Sequence, residues 1–528
     1  MSRSLFSESR KGYRTTLNRP VSGGQALSFS SAGRPPSIPF GVWPFAVLLL
    51  VALVLRASTF GDPNVSGDET FYQTVGIAMH HGAVPYVDVW DRKPWGLFFL
   101  YYLITGICAG PIGYQLAATA FAAATAWIIG RIALIWTNRQ GALLAGMAYL
   151  IFLIPFQGYG GQSPVFYNLF VALAFLLVLL AAPDLQRGWV HWHLHAAMLL
   201  AGLAITIKTT AAFEGAFLGL WCASQVLRSP LPKDRACRVI VSWALIGAAP
   251  TFAIAVGYAI AGYWEIYWHA MVVSNFAKAP EWTSSAIRFT IMFARLAPLL
   301  IIAVLALPDL PAERRRFVLL WLLAAFAGVA SVPHFFTHYA LSLLVPLSVT
   351  AAAFLDRRWI GPLALVAGAW FALCDSKVLD FQHAHRSGAA FDQLTRTIRA
   401  HDDGGPLFVF DGPHQLYTMT GKTFPTPLVF TAHLGHLMEK DVSHLSTLGE
   451  VRRVLAMRPS IIVAAPAPRQ GPPNLETDNL VRAYFHAHCR LVARVSTPDW
   501  LNENITDVWA DCRKARLRDG SPLRGGKA

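Results

Sequence analysis

Charge is what this chain has least of. Asp, Glu, Lys and Arg make up 14% of its 528 residues, against about 25% in a typical soluble domain. That scarcity excludes a free-standing soluble protein. The chain also lacks internal repeats and heptads, so neither a solenoid nor a coiled coil is expected. Acids are outnumbered by bases, 30 to 44. The net charge of +14 is nevertheless no sign of nucleic acid, because the basic residues sit in short clusters between apolar runs. That is how cytoplasmic loops are charged. The glycine-rich "GYGGQ" at 158–162 is not followed by Lys-Ser/Thr, so it is not a phosphate-cradling loop of the nucleotide-binding kind.

What the chain has in abundance is apolar sequence, 54% of its residues. Runs of about 20 residues, each long enough to span a bilayer core of about 30 Å, recur over the first three quarters. Helices are expected at 41–57, 112–136, 141–157, 164–182, 196–211, 212–228, 239–262, 286–307, 317–334, 339–355 and 359–374, about eleven spans in all. The first run has no small-residue cleavage site, so it reads as an uncleaved helix behind a disordered basic cytoplasmic tail, 1–38. With that tail inside, the short basic connections around Arg131–Arg139, Asp184–His195, Arg228–Arg238, Asp309–Arg316 and Asp356–Arg358 all fall on the cytoplasmic side. The longer segments 58–111, 157–163 and 263–285, rich in Trp and Tyr, fall outside. A full crossing at 95–110 would invert every later loop, so that stretch reads as a helix lying along or dipping into the outer interface.

The pattern changes near residue 375. Short apolar runs, "PLFVF" at 406–410, "SIIVAA" at 460–465 and "RLVARV" at 490–495, alternate with helical stretches at 388–401, 446–458 and 478–488. This predicts a small α/β domain over 376–515 on the outer side, ahead of a flexible basic tail, 516–528. Of the six cysteines, only Cys489 and Cys512 fall in this domain. A disulfide between them fits an oxidising compartment, although two separate thiols would read the same way.

The charges worth attention follow the first helix. "SGDETFYQ", Ser66–Gln73, places Asp68 and Glu69 at the start of a short amphipathic helix. A helix dipole would account for one of them. The loop continues "HGAVPYVDVWDRKPWG", which brings Asp88, Asp91, Arg92 and Lys93 to the same face, with Trp90 and Trp95 read as interfacial anchors. Such a concentration of acids and bases suits a phosphate-bearing lipid headgroup.

An Asp-Glu pair after the first span, then "G-x-x-PY-x-D", then "D-x-KP", resembles the GT-C superfamily of integral-membrane glycosyltransferases. Within it, the likeness is to the branch of the protein O-mannosyltransferases and the lipid A aminoarabinose transferase. "GLAITIKTTAA" at 202–212, carrying Lys208, and "HFFTHYALSLLVP" at 334–346, carrying His338 and Tyr339, are similar to further motifs of that branch in the same order. The resemblance covers roughly 41–375. It departs at "QGYGGQSPVFYN", where Ser163 stands in place of a second acid. Either Asp88 or Asp91 takes over that role, or one carboxylate suffices.

The resemblance implies a GT-C transmembrane module over 39–375 with its catalytic loop at 58–111, in the cytoplasmic (inner) membrane of a bacterium, with the C-terminal domain periplasmic. It implies transfer of a sugar from a polyprenyl-phosphate donor to a lipid or glycan acceptor, as in lipopolysaccharide or polysaccharide biosynthesis. Asp68 is the expected catalytic base, with Glu69 orienting it or the acceptor. Arg92, Lys93, Lys208 and His338 are expected to receive the donor phosphate, and Asp88, Asp91, Tyr72 and Tyr339 to contact sugar or acceptor. No cofactor is required by this scheme, and a divalent cation is left open. The competing class is a transporter or flippase of lipid-linked sugars. It calls for ionisable residues near the bilayer midplane, whereas these cluster at one interface.

Overall fold

The computed structural model describes residues 40–277, 281–374, 376, 378–469 and 471–513; the expected tails at 1–38 and 516–528 lie outside the described residues. Each of the eleven predicted runs is a helix: Val42–Arg56, Pro111–Ala133, Arg139–Phe152, Ser163–Gln186, Trp192–Ile207, Ala212–Arg228, Lys233–Ile260, Trp282–Ala306, Ala312–Ala330, Leu344–Leu355 and Ile360–Cys374. Local chemistry sets several of their starts. Pro111 opens one at the first turn, where its missing N–H costs nothing. The Asn138 side chain caps another by accepting from the Gln140 and Gly141 N–H groups.

Among the described residues, six helical stretches are long and apolar enough to cross a membrane, including Ser163–Gln186 and Lys233–Ile260. Lys233–Ile260 turns Val241, Leu245, Phe252 and Ile260 outward, each more than half exposed. That is the composition of a face meant for hydrocarbon, where a helix already satisfies its own backbone. Leu344–Leu355, by contrast, is buried at 11 of its 12 positions and forms the middle of the bundle. The chain is a polytopic α-helical membrane protein.

The stretch expected to lie along the outer interface is a helix, Trp95–Ile107. Its 13 residues reach about 20 Å, short of a bilayer core. It packs on the helix Gly67–His80 so closely that a Cβ on Gly76 would lie 2.8 Å from the Tyr101 carbonyl carbon. Only glycine allows that approach.

The C-terminal domain contains a four-stranded sheet: β1 (Leu407–Val409), β2 (Ile461–Ala464), β3 (Arg490–Ser496) and β4 (Ile505–Ala510), in the order β1-β2-β4-β3. β1 and β2 are parallel, while β4 runs antiparallel to both of its neighbours. Helices His383–Ala400, Thr447–Ala456 and Leu475–His488 flank the sheet. The fourth strand was not expected from sequence, because "ITDVWA" follows the polar "LNEN" and carries an aspartate. The tertiary structure resolves this: Asp507 is buried, and the Arg494 guanidinium on β3 donates to both of its oxygens at 2.7 and 2.8 Å. Cys489 and Cys512 form a disulfide at the open ends of the β3–β4 pair, with Cα atoms 3.9 Å apart.

This domain is clamped onto the loop after the first helix. Trp500 donates its indole N–H to the buried Asp62 at 2.8 Å. Gln415 donates to the Pro63 carbonyl, and Asn64 to that of Pro498, both at 3.1 Å. Trp90 lies in the same seam, fully buried with its ring against His433, and its backbone N–H donates to Pro427 at 2.8 Å. It is therefore an anchor for the domain rather than for the membrane interface. Trp95 remains partly exposed, stacked on Phe99.

Candidate active site

Where the domain meets the helical bundle there is a cavity of about 650 Å³. Segments far apart in sequence converge on it: the start of Gly67–His80, the turn Trp90–Pro94, the glycine-rich 157–162, the break at Lys208, and the 3-10 turn Thr337–Ser342. Those are the segments expected on one side of the membrane.

Asp68 stands in the first turn of its helix, and its Oδ1 lies 3.1 Å from Lys93 Nζ. The ammonium also sits 5.2 Å above the Tyr72 ring. Lys93 is held there by its own turn, because Asp91 Oδ1 accepts the backbone N–H groups of Arg92 and Lys93. Opposite, the chain extends at Lys208 between two helices, which leaves its ammonium 5.3 Å above the Tyr339 ring.

Burial alone would raise the Asp68 carboxyl, but Lys93 and His338 outweigh it and hold the group below its usual range. Asp91 is likewise buried, and Lys93, His433 and Arg92 together keep it well below the carboxylate range. Both are anionic at neutral pH. Burial and the neighbouring Lys93 push the Lys208 ammonium down to about 8. His338 is driven by burial to about 4, with Lys208 and Lys93 adding to the shift. It was expected among the phosphate-binding cations, but an imidazole in this position is neutral at pH 7. In that state it acts as a hydrogen-bonding group.

Asp68, Asp91, Arg92, Lys93, Lys208, His338 and Tyr339 all line the cavity. Three of the expected residues do not. Asp88 is exposed, and its carboxylate closes a turn by accepting the Val84 N–H at 2.8 Å. Tyr72 lies beneath Lys93, 1% exposed. Glu69 is fully buried behind the cavity wall, facing the Gly160–Gly161 backbone. A Cβ on Gly160 would collide with its carboxylate. From the other side Arg56 donates to the carbonyls of Gly158 and Gly160. The glycine-rich segment is thus a cavity wall held against a buried acid, and its side chains Tyr159 and Gln162 face inward.

The residues that sequence reasoning missed come mainly from the C-terminal domain. His433 Nε2 is 3.6 Å from Asp91 Oδ2, and its Nδ1 is 3.2 Å from Glu439 Oε2. Glu439 Oε1 in turn accepts from Arg92 at 2.8 Å. Nothing in "HLGHLMEK", 433–440, distinguishes it from a surface turn. Among the described residues no group of three or more His, Cys, Asp or Glu converges as a metal site would.

No family model matches the chain, and no curated protein matches its sequence. Solved structures do match in shape. ArnT from Cupriavidus metallidurans bound to undecaprenyl phosphate aligns with a TM-score of 0.58 at 14% identity, over 88% of this chain and 97% of that one. The same protein in the apo state gives 0.57, again at 14% identity over 88% and 97% of the two chains. The Archaeoglobus fulgidus oligosaccharyltransferase in the apo form gives 0.51 at 12% identity, over 87% of this chain and 80% of that one. At such identities the common property is the fold, and it is the GT-C fold that the sequence motifs implied.

Proposed function

We propose, from that fold and that cavity, that this chain is a glycosyltransferase moving a sugar from a polyprenyl-phosphate carrier to an acceptor hydroxyl at the outer face of the cytoplasmic membrane. The observation that carries the reading is the Asp68–Lys93 pair, with Arg92 and Lys208 beside it in one cavity. That arrangement joins one proton acceptor to a cluster of phosphate-seeking cations. The undecaprenyl phosphate held by the ArnT structure of the same fold is the class of ligand such a cluster suits.

In this reading the acceptor oxygen attacks the anomeric carbon and its proton passes to Asp68. The bond between that carbon and the phosphate oxygen breaks, and the electron pair leaves on the phosphate. Inversion at carbon follows. A positioned base contributes about 10²–10⁴-fold to such a step, and cations aimed at the departing oxygens stabilise the charge that develops there. The ion pair adds a control. While Lys93 holds Asp68, the carboxylate is a weak base. A donor phosphate drawing on Lys93 weakens that hold and raises the basicity of Asp68 as the substrate arrives. Tyr339 and Asp91 line the cavity where sugar or acceptor would lie. We also place the domain 376–515 outside. Its disulfide and its docking on the catalytic loop 58–111 both favour that side.

The test is mass spectrometry of glycolipids and glycans from cells with and without the protein, alongside undecaprenyl phosphate binding by purified protein in nanodiscs. One glycan class should lose a single sugar in the deletion, and Lys93→Ala should weaken binding of the carrier. An unchanged glycan profile together with no carrier binding would overturn the reading.

A further inference from the structure

The turn that carries Arg92 and Lys93 is held by a ring of side chains, half of which belong to another part of the chain. From Asp91 the ring passes to His433 at 3.6 Å, from His433 to Glu439 at 3.2 Å, and from Glu439 to Arg92 at 2.8 Å. It closes through the Arg92 backbone N–H, which donates to Asp91 Oδ1. His433 and Glu439 are 2% and 6% exposed, so this is a desolvated ring in which each charge depends on its neighbours. With one guanidinium nitrogen committed to Glu439, the other, Nη1, is buried without a partner among the described residues.

We infer that His433 and Glu439 are positioning residues for the donor phosphate, which makes the C-terminal domain an integral part of the phosphate site. The inference rests on the reading that the phosphate is received at Asp91–Pro94. Charge supports it. Three carboxylates (Asp68, Asp91 and Glu439) face three cations (Arg92, Lys93 and Lys208) around this turn, a balance that offers a phosphate little net attraction. Burial opposes a charge on His433, but Asp91 and Glu439 on its two sides outweigh it and raise its pKa. An imidazolium bridging them tips the balance to positive and leaves Arg92 Nη1 to turn to the ligand. Without it, two carboxylates would face each other across a buried gap, and the turn would have to open to separate them.

The experiment measures the affinity of the full-length protein in nanodiscs for undecaprenyl phosphate, together with its melting temperature. His433→Gln and Glu439→Gln are each expected to weaken binding about 10- to 100-fold, the scale of one hydrogen bond to a charged group; in Glu439→Gln the loss of the contact that aims Arg92 outweighs the removal of a negative charge. Glu439→Asp, which keeps the charge, should recover most of that loss. Val463→Ala, a cavity in the buried β2 strand, should lower the melting temperature and leave affinity unchanged, which separates positioning from general loosening of the domain. If Lys93→Ala loses affinity while both Gln variants bind like wild type, the inference is wrong and the phosphate reading stands. Should Lys93→Ala also bind like wild type, the phosphate reading itself falls. Equal affinity losses in Val463→Ala and the Gln variants would likewise refute positioning.

Discussion

Replacing Asp68 by Asn separates a base from a scaffold more cleanly than any other single change to this protein. The substitution conserves shape and removes one charge and one ion pair. The pair is 3.1 Å long and each partner is about one-fifth exposed, so its loss costs roughly 1 kcal/mol of stability, the upper end for a pair still in contact with water. The helix start does not depend on it, since Asp68 lies inside the first turn and Ser66 holds the N-cap position. A structural role therefore predicts a small fall in melting temperature and near-normal turnover. If Asp68 takes the proton of the acceptor, the same change removes about 10²–10⁴ from the rate, or about 2.7–5.4 kcal/mol on the barrier. Carrier affinity would not fall, because Lys93 loses its competing partner. The assay is single-turnover transfer from a polyprenyl-phosphate sugar by purified protein in nanodiscs, with binding measured on the same samples. A rate within a few-fold of wild type would eliminate Asp68 as the base. A parallel loss of carrier affinity would mean that the carboxylate organises the phosphate site instead.

Other expectations concern single features. Lys208, held down to about 8, is charged below that pH and neutral above it, so carrier affinity should decline as pH rises through about 8; in Lys208→Arg the titration curve should be flat there, and an unaltered decline would point to another group. Gly160→Ala drives a methyl into the Glu69 carboxylate and should destabilise by about 1–3 kcal/mol. Shortening the acid in a Glu69→Asp background should relieve part of it, and strictly additive effects in that double-mutant cycle would dismiss the contact. A reporter active only outside the cytoplasm should work when fused after residue 376 and fail at residue 233, and the opposite result would reverse the proposed orientation.

The placement of the apolar helices could be read from the chain because each helix satisfies its own backbone, so helix length and hydrophobicity are local quantities. The motifs that turned out to share a cavity were also legible, since the alternation of loops across a bilayer sorts distant segments onto one side. Lys208 and His338 are 130 residues apart, yet the sidedness of the loops brought both to the face that carries Asp68.

Ionisation states and the identity of buried partners were not legible, because they depend on contacts between segments. The sequence shows His338 as a possible cation. Its burial, with Lys208 and Lys93 beside it, lowers its pKa to about 4 and removes the fractional charge that a solvated imidazole keeps near pH 7. Asp68 and Glu69 are neighbours in sequence, but a helix turns adjacent residues about 100° apart. One therefore faces the cavity and the other the buried glycine wall. The β4 strand exists because Arg494 on the next strand accompanies Asp507 into the sheet. His433 and Glu439 look like any surface turn until the domain docks and sets them against Asp91 and Arg92. Hydrophobic length along the chain determined the membrane architecture, whereas the chemistry of the cavity was decided by desolvation and charge pairing between parts of the chain that only the tertiary structure brings together.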